Sequence, residues 1–336
     1  MGARQWIRRL TPYLLLAPGM LWLTVFYVYP SIQMFISSFW SGTLETGFAF
    51  SFDNWTTYTD ALARYEPQFV RSLVYGGAAT IICFLIAYPL AYTIAFRGGR
   101  YKNVLLFLVI APFFTSFLLR TQSWKIILGD DGILFGPLKD LGFLPPEFRV
   151  LATPAAVVAG IAYNFLPFMT LPIYVSLEKI DIRLVEAAKD LYAGPWRPGG
   201  TIAGAGLGAA AGAGLGAALS YDVVMMAVVG LLIGVVIGTF LVSESFLRVV
   251  LPLSLPGVFA GSLLTFIPAM GDFVNAELLS GSPQTRMIGN VIQSRFLDNN
   301  DYPTAAALSF ILMAGILAMV AIYARILGTE ELTSAR

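Results

Sequence analysis

Long apolar runs recur along almost the whole sequence, and most reach the roughly 20 residues that a helix needs to cross a membrane. Hydrophobic residues make up 57% of the 336 residues and charged residues only 12%. A soluble domain carries roughly 25% charged residues. These features predict an all-α, polytopic integral membrane protein with about eight spans.

The inventory of reactive side chains is small. The chain has no histidine and one cysteine, Cys83, which lies in an apolar run and is expected to pack there. Zinc sites, Ser-His triads and disulfides are therefore excluded, and the sequence has no Gly-x4-Gly-Lys-Ser/Thr loop for nucleotide phosphates. We predict no metal, cofactor or catalytic residue. The net charge of +1 argues against a nucleic-acid partner and leaves membrane lipid as the expected surroundings.

We place the spans where apolar residues fill about 20 consecutive positions. In chain order they are about Tyr13–Phe39, Phe69–Phe96, Val104–Leu119, Leu151–Leu177, Leu251–Phe273 and Thr304–Leu327. Pro18-Gly19 and Pro30 are expected to break the first of them. The basic residues before Leu10 place the N-terminus in the cytoplasm. Successive spans cross the membrane in opposite directions. The loops Arg120–Val150 and Asn275–Pro303 are therefore expected outside the cell, and the C-terminus inside.

A short polar segment follows the fourth span. Ile180, Leu184, Ala187 and Leu191 recur there at helical spacing, with charged residues on the other side, which predicts an amphipathic helix. Because the preceding span ends in the cytoplasm, this helix can present a compact surface to a soluble partner.

The same segment contains Glu186-Ala187-Ala188, and Val249, Leu251 and Pro252 follow much later. Together they resemble the EAA loop of the membrane subunits of binding-protein-dependent ABC importers, whose pattern is Glu-Ala-Ala, three residues, Gly, nine residues and Ile-x-Leu-Pro. Tyr192 stands at the position of the Gly, and the two halves are much further apart. The resemblance implies a six-helix permease core. It also implies an ATPase-coupling surface formed by Glu186, Ala187, Ala188, Asp190, Leu191 and Tyr192.

Residues 198–244 are interpreted as an insertion between the permease parts 1–197 and 245–336. If Arg197 were followed directly by Ser245, the nine-residue spacing of the EAA pattern would be restored. Glycines recur every fourth residue within the insertion, at Gly204, Gly208, Gly212 and Gly216 and again at Gly230, Gly234 and Gly238. This spacing puts small residues on one helix face, where backbones can approach closely in lipid. We predict a transmembrane hairpin, about Thr201–Leu219 and Val223–Val242, that packs glycine face to glycine face.

Further features resemble the permeases of polyamine (spermidine/putrescine) ABC importers. They are the order of the spans, Phe52-Asp53-Asn54-Trp55, and the run from Gly271-Asp272-Phe273-Val274 through Glu277 to Ile288-Gly289-Asn290-Val291-Ile292. The resemblance implies a bacterial inner-membrane subunit that works with a dimer of cytoplasmic ABC ATPases, a second permease subunit and an extracytoplasmic substrate-binding protein. The partner would hydrolyse ATP, so this chain would not be an enzyme.

A pathway for a flexible polycation needs carboxylates and aromatic faces that replace lost hydration. Asp272, Phe273 and Glu277 lie at the predicted outer end of a span. An ionised carboxylate near the membrane costs on the order of 3 kcal/mol on insertion scales, which favours a functional role. The alternative is that both acids cap the helix end in external water. Tyr163 and Asn164 are further candidates, with hydrogen bonding between helices as the alternative.

Other functions stay open on these observations. The permease could carry iron, thiamine or an opine, whose importers have related permeases. The glycine-rich hairpin could instead be an oligomerisation element that impairs coupling to the ATPase. An intramembrane aspartate protease would need a carboxylate pair in the bilayer. Tyr221-Asp222 and Gly271-Asp272 are similar to its motifs, but Ala269 replaces the first glycine of Gly-x-Gly-Asp.

Overall fold

The computed structural model describes residues 13, 15–43, 45–191 and 246–326 of the chain. Tyr192 and the predicted hairpin of 198–244, with its repeated glycines, lie outside these residues, so those predictions stay predictions. The chain divides into two compact units. The smaller unit comprises Met1–Val70 and Ile288–Ile322, and the larger comprises Arg71–Met287 and Tyr323–Arg336.

Helices account for nearly all the regular structure of the described residues, which confirms the predicted all-α class. The helices are α1 (Leu15–Ser37), α2 (Thr56–Tyr92), α3 (Lys102–Ile110), α4 (Phe117–Ile127), α5 (Phe135–Asp140), α6 (Pro154–Glu178), α7 (Ile182–Leu191), α8 (Leu251–Met270), α9 (Val274–Leu279), α10 (Ile288–Gln293) and α11 (Tyr302–Ile326). Among the described residues, five segments built on α1, α2, α6, α8 and α11 are long and apolar enough to cross a membrane. A bent pair that includes α3 and α4 makes a sixth if it counts as one span.

The third predicted span differs from the structure. A bend of 94° separates Gly99–Phe114 from α4, where the sequence predicts one span over Val104–Leu119. Thr115 and Ser116 have extended ψ angles of 151° and 135°, directly after a short 3-10 turn that contains Pro112. Because proline lacks an N–H and strains a helix, the helix ends here. Arg120 consequently lies in α4 and not in the predicted external loop.

The first span is continuous where breaks are predicted. α1 runs through Pro18-Gly19 and Pro30, and a π-helical turn over Thr24–Val28 ends two residues before Pro30. In this turn the N–H of Tyr29 bonds to the carbonyl oxygen of Thr24. The wider turn relieves the clash between a proline ring and the preceding helical turn.

The smaller unit contains a β-hairpin that the sequence did not predict. Its strands β1 (Trp40–Thr43) and β2 (Gly47–Phe50) are antiparallel, with Trp40 opposite Phe50. Gly42 has a φ of +116°, and a Cβ there would lie only 2.0 Å from the Gly47 carbonyl oxygen. This glycine therefore permits the tight turn between the strands.

The predicted external loop Asn275–Pro303 contains folded, buried segments. In the larger unit, Asn275 and Leu279 of α9 are buried. In the smaller unit, Ile288 and Val291 of α10 pack with side chains of α2 and α11. The loop prediction missed both helices because each is only six residues long and gives little periodic signal.

Helices α6 and α8 of the larger unit touch along their backbones. A Cβ atom on Gly257 would lie 2.5 Å from the Pro172 carbonyl oxygen, and one on Gly261 would lie 2.9 Å from the Met169 sulfur. Small residues four apart permit this approach within a membrane. The span before the polar segment and the span after it therefore pack directly on each other.

Candidate functional site

Buried polar side chains join three helices of the larger unit. The Asn164 amide nitrogen of α6 donates to Thr121 Oγ1 of α4 at 3.1 Å and to Asn275 Oδ1 of α9 at 3.0 Å. Thr121 Oγ1 donates to the same Asn275 oxygen at 3.2 Å, and Asn275 Nδ2 donates to Asp272 Oδ2. All four residues are buried. We call Thr121, Asn164, Asp272 and Asn275 the polar hub.

The Asp272 side chain caps the start of α9, whose N-cap position is Phe273. Its Oδ1 accepts hydrogen bonds from the backbone N–H groups of Val274 at 2.9 Å and Asn275 at 3.1 Å, as a capping aspartate does. Burial raises the pKa of the Asp272 carboxyl above its ordinary value, and the hydrogen bonds from Asn275 and Val274 oppose this shift. The alternative in which Asp272 caps a helix end in open water is wrong, because only 7% of the residue is exposed.

The other predicted pathway residues are more accessible. Phe273 is 39% exposed and Glu277 of α9 is exposed. Tyr163 is 36% exposed, and its ring packs edge to face on Trp124 at 5.3 Å. Of the five predicted residues, the structure brings Asp272 and Asn164 together through Asn275.

Two members of the polar hub, Thr121 and Asn275, were missed by the sequence reasoning. Thr121 fell in a predicted loop, and Asn275 carries no charge that would mark it in an apolar chain. The sequence did contain one signal for Asn275. Asp272 lies three residues before it, and an aspartate at that distance can accept the backbone N–H of a residue at the start of a helix. The contact with α4 and α6 arises only from tertiary packing.

The two halves of the predicted EAA loop meet in space. Val185 of α7 is buried, and it belongs to one apolar cluster with Phe246 and Val250 of the π-turn Phe246–Val250. This turn leads directly into α8. Phe246 in turn packs edge to face on Tyr88 at 5.0 Å, and the Tyr88 hydroxyl is 2.5 Å from Ser254 Oγ of α8.

The outer face of α7 combines acidic and apolar groups. Glu186, Ala187 and Asp190 are exposed, and Leu184 is 52% exposed. The side chains of Ala188 and Leu191 lie outside the described part of the structure, as does Tyr192. Leu184 and Ala187 of the predicted apolar stripe thus face outward, whereas Val185 is buried and lies on the inner side of the helix.

A partly exposed ion pair lies at the end of α6, just before α7. Lys102 Nζ lies 2.8 Å from Glu178 Oε1 at the end of α6 and 5.3 Å from the centre of the Tyr174 ring. The basic turn before α3 and the start of the polar segment therefore lie at the same end of the larger unit.

Comparison with known proteins gives three kinds of match. Residues 243–327 match the family described as "Binding-protein-dependent transport system inner membrane component". The spermidine/putrescine transport system permease protein PotB of Haemophilus influenzae is 35% identical over 306 residues, which cover 90% of each chain. The protein of the same name from Escherichia coli is 32% identical over 307 residues, covering 90% of this chain and 93% of the relative.

A solved structure shares the fold. A chain of a bacterial ABC transporter involved in the import of the acidic polysaccharide alginate matches with a TM-score of 0.64. The match covers 96% of this chain and 98% of that one at 16% sequence identity, so the likeness concerns the fold alone.

Proposed function

The chain belongs to the family of spermidine/putrescine transport system permease proteins, and we propose that it carries a polyamine of this class across the inner membrane. The identity to the Haemophilus influenzae relative along nine-tenths of both chains carries the proposal. The chain is accordingly a multi-pass membrane subunit of an ABC importer and not itself an enzyme.

An ABC importer needs ATPase subunits to drive transport and a second permease subunit to complete the transport pathway. We assign ATP hydrolysis to a dimer of cytoplasmic ATPases, and we expect a second permease subunit and an extracytoplasmic substrate-binding protein to complete the complex. Iron, thiamine and opine transport and the protease alternative have no support from the two sequence relatives described above, which are named as spermidine/putrescine permeases.

Helix α7 is proposed to be the contact with the ATPase. On its inner side Val185 belongs to one apolar cluster with Phe246 and Val250, and α7 follows directly on α6, so we expect a force on the helix to reach both α6 and α8. Its outer side offers Glu186 to a basic group, and the small Ala187 permits close approach. Ala188, Asp190, Leu191 and Tyr192 are assigned to the same surface on the EAA resemblance.

Substrate contact is assigned to the exposed residues beside the polar hub. Glu277 supplies a carboxylate and Phe273 an aromatic face, with Tyr163 as a further face. Asp272 and Asn164 hold these elements in position, because the hydrogen bonds of the hub already engage both carboxylate oxygens of Asp272.

The test is uptake of radiolabelled spermidine into proteoliposomes that contain this chain with its copurifying ATPase and partner permease. ATP inside and the copurifying binding protein outside should give uptake that unlabelled putrescine inhibits and thiamine does not. ATP-dependent uptake of another solute, with no uptake of spermidine, would refute the assignment.

Orientation is tested with single cysteines in a Cys83→Ala background. We expect a membrane-impermeant maleimide to label an Asp131→Cys variant in intact spheroplasts. It should label a Lys189→Cys variant only after lysis, since Lys189 belongs to the proposed cytoplasmic helix. Labelling of the Lys189→Cys variant in intact cells would contradict the coupling role of α7.

Residues 198–244 are proposed to be an insertion that the coupling surface tolerates. The presence of Val185, Phe246 and Val250 in one apolar cluster supports this, since it places the segments on either side of the insertion together. Deleting 198–244 should leave ATP-dependent uptake largely intact. If only the deleted form stimulates the ATPase, the insertion impairs coupling, as expected of an oligomerisation element.

A further inference from the structure

Arg120 lies against an aromatic cluster in the larger unit. Its guanidinium carbon is 5.2 Å from the centre of the Phe113 ring and 5.9 Å from that of Phe117, both within the range of a cation–π contact. Phe113 packs edge to face on Phe168 at 5.1 Å, and the ring centres of Phe117 and Phe165 are 6.5 Å apart. We call Phe113, Phe117, Phe165 and Phe168 the aromatic cluster.

The Arg120 guanidinium group is incompletely hydrogen-bonded. Its Nε and Nη1 atoms are buried and have no hydrogen-bond partner among the described residues. Phe165 lies about 16 Å along the roughly 37 Å of α6, at 1.5 Å per residue, so the aromatic cluster is at membrane depth. Ionisable side chains at this depth are costly and mark transport pathways. Because no hydrogen bond holds Nε or Nη1 and both rings can accept another cation, exchange of Arg120 for a second cation breaks no hydrogen bond at these two atoms.

The aromatic cluster also opens onto space for a ligand. Phe113 and Phe168 are each 37% exposed, and Phe168 lines a groove of about 450 Å³ between α6 and α8. The side chains along the groove are apolar apart from Ser176 and Lys179. A polyamine has ammonium groups separated by methylene segments, so the rings suit its charge and the groove suits its methylenes.

We propose that the aromatic cluster is an ammonium-binding site of the transport pathway, which Arg120 occupies when no polyamine is bound. This inference rests on the proposed polyamine transport. Exchange of the guanidinium for an ammonium group replaces one cation by another on the same rings, so the charge of the site is conserved. A neutral solute cannot make this exchange, and Arg120 therefore contributes to specificity for cations.

The test measures binding of labelled spermidine to the purified complex of permeases and ATPase without the substrate-binding protein. Arg120→Gln removes the competing charge, and we expect about tenfold tighter binding. Phe113→Leu alone should change the affinity less than about twofold, because Arg120 and spermidine lose the same ring contact. In the Arg120→Gln background, Phe113→Leu should weaken binding about tenfold.

Matched variants separate this exchange from a general loss of structure. Arg120→Lys and Phe113→Tyr keep the charge and the ring and should bind as the wild type does. Arg149→Gln and Phe143→Leu alter a cation and a ring that are each 75% exposed, and they should also have no effect. Arg120→Met serves the same comparison if the Gln variant does not assemble.

Two results would overturn the inference. One is that removal of the Arg120 charge leaves spermidine binding unchanged or weaker. The other is an equal effect of Phe113→Leu in both backgrounds, which a purely structural role of the ring predicts. Absence of spermidine uptake by the wild-type importer is a separate outcome that refutes the proposed function itself.

Discussion

Asp272→Asn should loosen the packing of α9 against α4 and α6, although the substitution is nearly isosteric. The carboxylate accepts two backbone N–H groups through Oδ1 and the Asn275 amide through Oδ2. An asparagine can keep the cap through its own oxygen, but its NH₂ group then faces the Asn275 NH₂ group. Two buried donors oppose each other, and the connection to the rest of the polar hub weakens.

The expected decrease in the free energy of unfolding is set by the hydrogen bond between Asp272 and Asn275 that the substitution removes. A hydrogen bond to a charged group contributes about 1.5–3 kcal/mol, and a buried donor without an acceptor adds to its loss. Because the cap on α9 survives, we expect the free energy of unfolding to fall by about 2 kcal/mol. Asp272→Ala also removes the cap, which is worth about 1 kcal/mol more, so its loss should be near 3 kcal/mol.

The assay combines SDS-induced unfolding in mixed micelles with ATP-driven spermidine uptake. Asp131→Asn, a change at an exposed carboxylate, is the control. The double variant Asp272→Asn with Asn275→Asp restores one donor facing one acceptor, and we expect it to recover about half of the lost stability. If Asp272→Asn abolishes uptake while its stability stays within about 0.5 kcal/mol of the wild type, the carboxylate acts on the substrate and the positioning role is wrong.

Three further predictions follow from packing and charge. Gly257→Ala should destabilise the protein by about 1–3 kcal/mol in the same unfolding assay, because the new Cβ atom would lie 2.5 Å from the Pro172 carbonyl oxygen. Gly77→Ala is the control and should be neutral or slightly stabilising, because no atom lies within 4 Å of its new Cβ. Glu186→Arg should uncouple ATP hydrolysis from uptake while the subunit still assembles, and Glu147→Arg in the predicted external loop should not; equal coupling in both variants would contradict the role of α7. Lys102→Gln should lower the free energy of unfolding by at most about 1 kcal/mol, because the Lys102 and Glu178 side chains are 27% and 47% exposed. A much larger decrease would mean that the ion pair has a wider structural role.

The spans were predictable wherever a continuous apolar run coincides with one helix. α6 begins three residues after the predicted start at Leu151 and ends one residue past Leu177, because apolar content and helix length agree there. At Thr115 and Ser116 the backbone leaves the helix within an equally apolar run. Hydropathy records only the partition into lipid, so it does not detect a 94° bend.

The candidate site was predictable only in part. The charge of Asp272 drew attention to a position that is buried and hydrogen-bonded in the structure, since carboxylates are rare in apolar chains. Its partner Asn275 in α9, and Thr121 of α4, which bonds to Asn275, are neutral side chains that hydropathy does not single out. Arg120 was assigned to a loop, because an arginine normally ends a span. Its contact with Phe113 and Phe117 depends on the bend that precedes α4.

Helix α6 links the polar hub to the proposed ATPase contact, and two prolines interrupt its hydrogen bonding on the way. Asn164 holds the helix at the hub and Glu178 holds its far end, while Pro167 and Pro172 lie between them. Each proline removes one backbone hydrogen bond from the ladder. The helix is therefore easier to bend at these two positions, both of which lie between the polar hub and the proposed ATPase contact. We expect a displacement at its Glu178 end to be taken up partly as bending before it reaches Asn164.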